Sequence, residues 1–305
     1  MEENRLLVLS GPTASGKTAL ALSLGKALPL EVINADSLQV YRGMDIGTAK
    51  PTASERKEVV HHLIDVADPD ETYDAGRFVA EAERAVREIR GRGNFPMVVG
   101  GTGMYIRALL RGLDDLPSDA AVREGLARRW VEEGGAVLFE ELRSVDRRSA
   151  EVIHPSDRAR VIRALEIAWI SGSPPSRLKR RWTEAGGKFR ILFIGISVER
   201  EELYRRIDAR VDEMFRKGLV DEVRWLLSKG YAPHLKPMKA LGYRHVVSHL
   251  AGVVSLSEAV GQLKRDTRRY AKRQVTWLSR EPDAVWTDRG NAERNAAEMA
   301  KRFLF

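Results

Sequence analysis

The sequence predicts an α/β protein, a P-loop-type parallel sheet flanked by helices and interrupted by a helical insertion. Three observations predict it. Short apolar runs alternate with helically spaced segments over residues 1–113 and again over 188–305. A glycine-rich turn joins the first apolar run to the first helical segment. Between these two halves, residues 114–187 are polar, arginine-rich and without a clear strand pattern.

The elements follow in order. Arg5 to Ser10 reads as a buried strand and Thr18 to Leu28 as a helix. Glu31 to Asp36 reads as a second strand. Asp74 to Arg92 is a helix with Phe78, Ala82, Ala85 and Ile89 on one face, ended by Gly91 and Gly93. Pro96 to Gly101 is a third strand, and Met104 to Leu110 begins another helix. The insertion leaves through Gly172–Ser176 and Gly186–Gly187. Arg190 to Ile196 returns to the sheet. Glu199–Lys217, Leu219–Ser228 and Leu256–Arg280 read as helices, Ala284–Thr287 as a last strand before a terminal helix. Trp277 and Trp286 read as core residues.

The 305 residues carry a net charge of +8, from 51 basic and 43 acidic side chains, which suits either a polyanionic partner or a soluble basic enzyme. No cysteine is present, which excludes disulfides and cysteine zinc sites and fits a cytoplasmic protein. The acidic start, Met1 to Asn4, does not read as a signal peptide, and no apolar run approaches the roughly 20 residues that span a bilayer. No membrane and no protein partner are implied, and a monomer is expected. His61–His62 lacks further ligands at zinc spacing and reads as structural.

Gly11-Pro-Thr13-Ala14-Ser15-Gly16-Lys17-Thr18 matches the P-loop pattern in full, between a strand and a helix. Its backbone N–H groups would converge on phosphate at a helix N-terminus. Gly16 allows close approach, Lys17 adds a point charge, and the Thr18 hydroxyl can ligate Mg²⁺. The motif says phosphate without naming a reaction. No Asn-Lys-x-Asp guanine motif occurs, and no Walker B run is evident apart from Val32–Asp36. A small kinase or another diphosphate chemistry therefore both stand. Asp36, at a strand end that would line the ligand crevice, is a general base, a metal ligand or a helix N-cap.

Further blocks narrow the choice. Asp36-Ser37-Leu38-Gln39-Val-Tyr41, Asp45-Ile-Gly-Thr-Ala-Lys-Pro51, His61-His-Leu-Ile-Asp65, Gly100-Gly-Thr102-Gly-Met-Tyr105, Arg163-Ala-Leu-Glu166, Gly242-Tyr243 and Tyr270-Ala-Lys272-Arg273-Gln-Val-Thr-Trp277 resemble, in order, the tRNA dimethylallyltransferases. The resemblance covers nearly the whole chain. It implies dimethylallyl diphosphate as donor and, as acceptor, N6 of the adenosine just 3′ of the anticodon, position 37. It implies that Asp36 is the general base, that Thr102 contacts substrate, and that Arg210 joins the P-loop in holding the diphosphate. Contacts with the tRNA anticodon stem-loop fall, by the same resemblance, to Asp36, Ser37, Leu38, Gln39, Thr102, Lys239, Gly242, Tyr243, Lys272 and Arg273, and to Arg123, Arg160 and Arg163 of the insertion. The chain departs from the family pattern at Val60, where a proline is usual, at Ser156 in place of asparagine, and at Ala159, which reduces an arginine pair. These departures bear on individual tRNA contacts.

The chemistry is consistent with these residue types. N6 of adenine needs a base as its bond forms. The departing diphosphate needs positive charge, which Lys17, Arg210, loop amides and Mg²⁺ would supply. A loop adenosine must be splayed out while phosphates are gripped. Lys264, Arg265, Arg268, Arg269, Lys272 and Arg273 offer such a grip, although a solvated helix face explains the same run. Three alternatives are prenylation of free AMP or ATP, a P-loop kinase of small metabolites, and an RNA-binding switch.

Overall fold

The computed structural model describes residues 4–114, 116–178 and 188–305. Two compact units divide the chain, one of residues 1–110 with 187–305, the other of residues 111–186. The Gly186–Gly187 exit lies outside the described residues.

In the larger unit six parallel strands form one sheet: β1 (Arg5–Ser10), β2 (Leu30–Asn34), β3 (His61–His62), β4 (Phe95–Gly100), β5 (Arg190–Ser197) and β6 (Ala284–Asp288). Their order is β3-β2-β4-β1-β5-β6. Alternation along each strand sends successive side chains to opposite faces. Leu6 and Val8 pack with Phe78, Ala82 and Ile89 of the Ala75–Gly91 helix and with Ile106 and Leu109. Leu7 and Leu9 pack on the other face with Leu20 and Leu24, and with Ala296, Ala300 and Leu304 of the terminal helix. Each fully buried Leu or Phe contributes about 1.5–3 kcal/mol relative to exposure. The apolar runs of β1 and β4 are continuous because both faces are covered.

The Ala75–Gly91 helix begins where the Asp74 side chain accepts the Arg77 N–H at 2.9 Å, and ends at Gly93, whose N–H donates to the Arg90 carbonyl. Its Phe78 stacks on Tyr105 with ring centroids 4.5 Å apart.

Several elements go beyond the sequence reading. β3 is a two-residue edge strand, so the third strand expected from the sequence is the fourth in the chain. Helices at Ala53–Glu58 and Tyr243–Leu250 and a 3₁₀ turn at Pro237–Lys239 were not foreseen. The expectation that Trp286 is core is corrected: it is 42% exposed, because β6 pairs only with β5 at the sheet edge. Trp277 is half-buried over Gly103. His61 and His62 hydrogen-bond the Val59 carbonyl and the Glu31 carboxylate.

The smaller unit has no strand among its described residues. Helices Ala120–Glu132, Gly135–Val145 and Arg158–Ser171 bury Leu126, Leu138, Leu142, Val161 and Leu165 together. Asp119, Asp146 and Asp157 cap helix starts. Glu166 is fully buried, and its carboxylate accepts from Arg123 and the Asp119 N–H and pairs with Arg163. Burial alone would raise the Glu166 pKa, and these partners bring it below the usual range.

Candidate active site

The C-terminal ends of β1, β2 and β4 meet where the strand order doubles back, the usual place for a ligand crevice in an open parallel sheet. At the end of β1 the P-loop turns through Ala14 and Gly16, at φ 64° and 99°. A glycine at the second of these positions avoids the strain of a side chain in that conformation. The Lys17–Ala27 helix starts there with no side-chain cap, so its first N–H groups face the turn. The Lys17 ammonium donates to the Gly11 and Pro12 carbonyls, each at 2.8 Å. Burial, then the neighbouring Arg210, lower its pKa to about 7, against the opposing pull of Asp36.

Asp36 follows β2. Its Oδ1 accepts the N–H groups of Leu38 at 2.9 Å and Gln39 at 3.4 Å, so one oxygen stabilises a turn. Asp36 is therefore not a helix N-cap. At the end of β4, the Thr102 hydroxyl accepts the Ser37 N–H at 3.1 Å.

A cavity of about 620 Å³ opens at these strand ends. Thr13, Lys17, Thr18, Asp36, Ser37, Leu38, Gln39, Arg210, Lys239, Gly242 and Arg273 line it. A second cavity of about 880 Å³ is lined by Ala14, Gly16, Lys17, Thr18 and Arg210, with Lys50, Arg56, Arg206 and Lys217. Lys17, Thr18 and Arg210 thus border both. Arg210 donates to the Thr48 carbonyl at 3.3 Å, and burial lowers its pKa while the Asp36 charge raises it. Among the described residues no group of three or more His, Asp or Glu side chains could hold a metal ion. Thr18, which lines both cavities, presents a hydroxyl of the kind that could serve as a single protein ligand to Mg²⁺.

Several expected contacts are placed differently. Tyr243 is fully buried, its hydroxyl donating to Glu222 at 2.8 Å, so its side chain is a core group and offers no tRNA contact. Burial and that carboxylate push the Tyr243 pKa well up. Thr102 does not line either cavity, and its hydroxyl holds the chain beside Asp36. The Gln39 amide donates to the Thr48 and Ala49 carbonyls. Gly11 and Ser15 lie behind the lining residues, with Ser15 fully buried. Within the smaller unit, Arg123 and Arg163 are held by Glu166, while Arg160 is exposed beside Asp157. On the Leu256–Leu278 helix, Lys264 and Arg268 pair with Asp212 and Asp208, and Arg269 with Asp266. That leaves Arg265, Lys272 and Arg273 as the exposed cations of this run with no carboxylate partner among the described residues.

Sequence reasoning missed Tyr270, Gln274 and Arg206. Tyr270 lines the first cavity, with its pKa raised by burial and by Asp36. Gln274 ties the P-loop to β4, accepting the Thr13 N–H at 2.8 Å and donating to the Gly101 carbonyl at 3.1 Å. Arg206 braces the Ala14 carbonyl at 2.7 Å. Their helices begin far along the chain, so no local pattern marks them. The Tyr270–Trp277 block was the one available signal.

Among the described residues no helix is long and apolar enough to cross a membrane. The IPP transferase family model matches residues 39–281. The chain is 50% identical over 285 residues to a tRNA dimethylallyltransferase 1 of Pelobacter propionicus, covering 93% of this chain and 92% of that one. It is 48% identical over 305 residues to a tRNA dimethylallyltransferase 2 of Syntrophus aciditrophicus, covering 100% and 98%. Among solved structures it is similar to a full-length tRNA isopentenylpyrophosphate transferase of Bacillus halodurans (TM-score 0.74, 38% identity, covering 99% and 97%). It is also similar to a eukaryotic dimethylallyltransferase described as acting on tRNA (TM-score 0.80, 29% identity, covering 98% and 78%). On the family match and this level of identity, the chain belongs to the IPP transferase family.

Proposed function

We propose that this chain transfers a dimethylallyl group from dimethylallyl diphosphate to N6 of adenosine 37 of tRNA, releasing diphosphate. The observation that carries this reading is the shared cavity, which Asp36 lines together with the P-loop residues Lys17 and Thr18 and with Arg210. In the transfer, the N6 lone pair attacks C1 of the prenyl group. The C1–O bond breaks with its electrons passing to the diphosphate, and the N6 proton passes to Asp36. Lys17, Arg210 and the P-loop amides meet the charge that develops on the leaving oxygen. Mg²⁺, held by Thr18 and the diphosphate, would neutralise further phosphate charge.

The two cavities suit two substrates that meet at Lys17, Thr18 and Arg210. The second, with its additional Arg56, Arg206 and Lys217, suits the anionic donor. The first, bordered by Asp36, Tyr270 and Arg273, suits a base drawn out of its loop. Lys272 and Arg273 suit backbone phosphates of the anticodon stem-loop.

The test is a transfer assay with radiolabelled dimethylallyl diphosphate, Mg²⁺ and unmodified tRNA, with AMP and ATP in parallel. Label in tRNA alone, mapped to the adenosine beside the anticodon, is the expected result. Label in AMP or ATP, or ATP turnover without prenyl transfer, contradicts the proposal.

A further inference from the structure

Glu222 lies on the Leu219–Ser228 helix and lines neither cavity. Its carboxylate nevertheless accepts three successive backbone N–H groups, from Asp45 at 2.9 Å, Ile46 at 2.6 Å and Gly47 at 3.0 Å. A fourth bond comes from the Tyr243 hydroxyl at 2.8 Å. Such bonds to a carboxylate are shorter and stronger than those between neutral groups. Gly47 is needed here, because a Cβ would meet the Tyr243 ring at 2.6 Å.

The segment that Glu222 holds borders both cavities. Gly47, Thr48 and Ala49 face the first, and Asp45, Ile46, Ala49, Lys50 and Pro51 the second. Within it Ala49 adopts φ 46°, a left-handed conformation that a non-glycine residue keeps only when its surroundings enforce it. At the far end the buried Lys50 ammonium donates to the Tyr41 carbonyl and to the Asp45 and Asp65 carboxylates. Between these two anchors the Thr48 carbonyl accepts from both Arg210 and Gln39.

We propose that Glu222 is a positioning residue for prenyl transfer: by gripping the N–H groups of residues 45–47 it fixes the Thr48 carbonyl, which in turn aims Arg210. This rests on the reading of Arg210 as a diphosphate contact. Glu222 touches no substrate in this account and acts only through the turn.

The test is a double-mutant cycle of Glu222→Gln with Arg210→Lys, read as the single-turnover transfer rate and as affinity for inorganic diphosphate. The amide offers one acceptor oxygen and turns an NH₂ group towards N–H donors. In the otherwise native protein the substitution should slow transfer about tenfold and weaken diphosphate binding, with tRNA affinity unmoved. In the Arg210→Lys background the loss should shrink to less than about threefold, since coupled sites are not additive. Glu222→Asp, which keeps the charge, should show the same coupling at smaller amplitude, and it decides the matter if Glu222→Gln does not fold. Equal losses in both backgrounds, as a merely structural role would give, overturn the proposal, as does no loss at all. A native protein that transfers no prenyl group refutes the proposed function instead, and the diphosphate arm of the cycle still tests the link from Glu222 to Arg210.

Discussion

Asp36 and Lys17 line one cavity although β4 lies between β2 and β1, the strands that precede them in the chain. With strands about 4.7–4.9 Å apart, two steps across the sheet separate the ends of β2 and β1 by roughly 10 Å. In the proposed function, that gap would let a nucleobase and a prenyl carbon meet between Asp36 and the P-loop. The end of β4 supplies the groups that set its geometry, Gly101 bonded to Gln274 and Thr102 bonded to Ser37.

Lys17 should make diphosphate binding pH-dependent. Burial and Arg210 hold its pKa at about 7 in the free protein. A bound diphosphate favours the protonated form, so binding takes up a proton above pH 7. Affinity should then fall as pH rises, by up to about tenfold per unit until the pKa of the complex is reached. Calorimetric titration with inorganic diphosphate at pH 8, in buffers of different ionisation heat, should show an uptake that Lys17→Met removes. Equal uptake by the two proteins would contradict the assignment.

Thr102→Val keeps the side-chain shape and removes the acceptor for the Ser37 N–H. The lost bond costs about 1 kcal/mol of stability. Misplacement of Asp36 should slow transfer about tenfold, with tRNA and diphosphate affinities within about twofold. Thr102→Ser should recover most of the rate. A large rise in the Kd of either substrate would instead make Thr102 a direct contact.

Lys272→Ala with Arg273→Ala should weaken tRNA binding and flatten its salt dependence. Each lost phosphate contact lowers the slope of log K against log salt by about 0.7–0.9. Lys264→Ala should leave the slope nearly unchanged, because that ammonium is already paired with Asp212 at 2.7 Å. Filter binding at several salt concentrations reads both, and equal slopes for all variants would remove this helix from the tRNA interface.

Glu31 should contribute to acid stability at the opposite end of the sheet. Burial would raise its pKa, but hydrogen bonds from Arg92, Asn94 and His62 prevail and bring it to about 2 from the usual 4.5. A depressed carboxylate stabilises the fold above the unfolded pKa and loses that contribution as pH falls from 4.5 towards 2. The shift corresponds to about 3 kcal/mol at neutral pH. The destabilisation of Glu31→Gln, from urea melts, should be roughly 2 kcal/mol smaller at pH 3 than at pH 7. The same destabilisation at both pH values would show that the network owes nothing to the charge.

Much of the fold is legible because its signals are local. Arg5–Ser10 and Phe95–Gly100 are buried on both faces and read as apolar runs, and Asp74 caps a helix whose apolar face repeats at helical spacing. β3 escapes because two residues carry no periodicity, and its pairing with Val32 and Ile33 is a tertiary event. The Tyr243–Leu250 helix escapes because it is short and starts at Gly242, φ 89°, without a capping side chain. At the site, the P-loop and Asp36 are contiguous motifs at strand ends. Gln274, Arg206 and Glu222 act through bonds that span 261, 192 and 175 positions in the chain, and spacing along the sequence has no means of revealing them. Tyr243 misleads for the same reason, since a motif position does not say whether its side chain faces a ligand or the core.

The most direct measurement is single-turnover prenyl transfer by Asp36→Asn, with tRNA affinity measured on the same protein. Asparagine keeps the Oδ1 acceptor for the Leu38 and Gln39 N–H groups and removes the base. The account predicts a rate lower by about 10²–10⁴ with tRNA affinity within twofold of the native protein. A rate within tenfold of native, or affinity that falls in step with the rate, would contradict it.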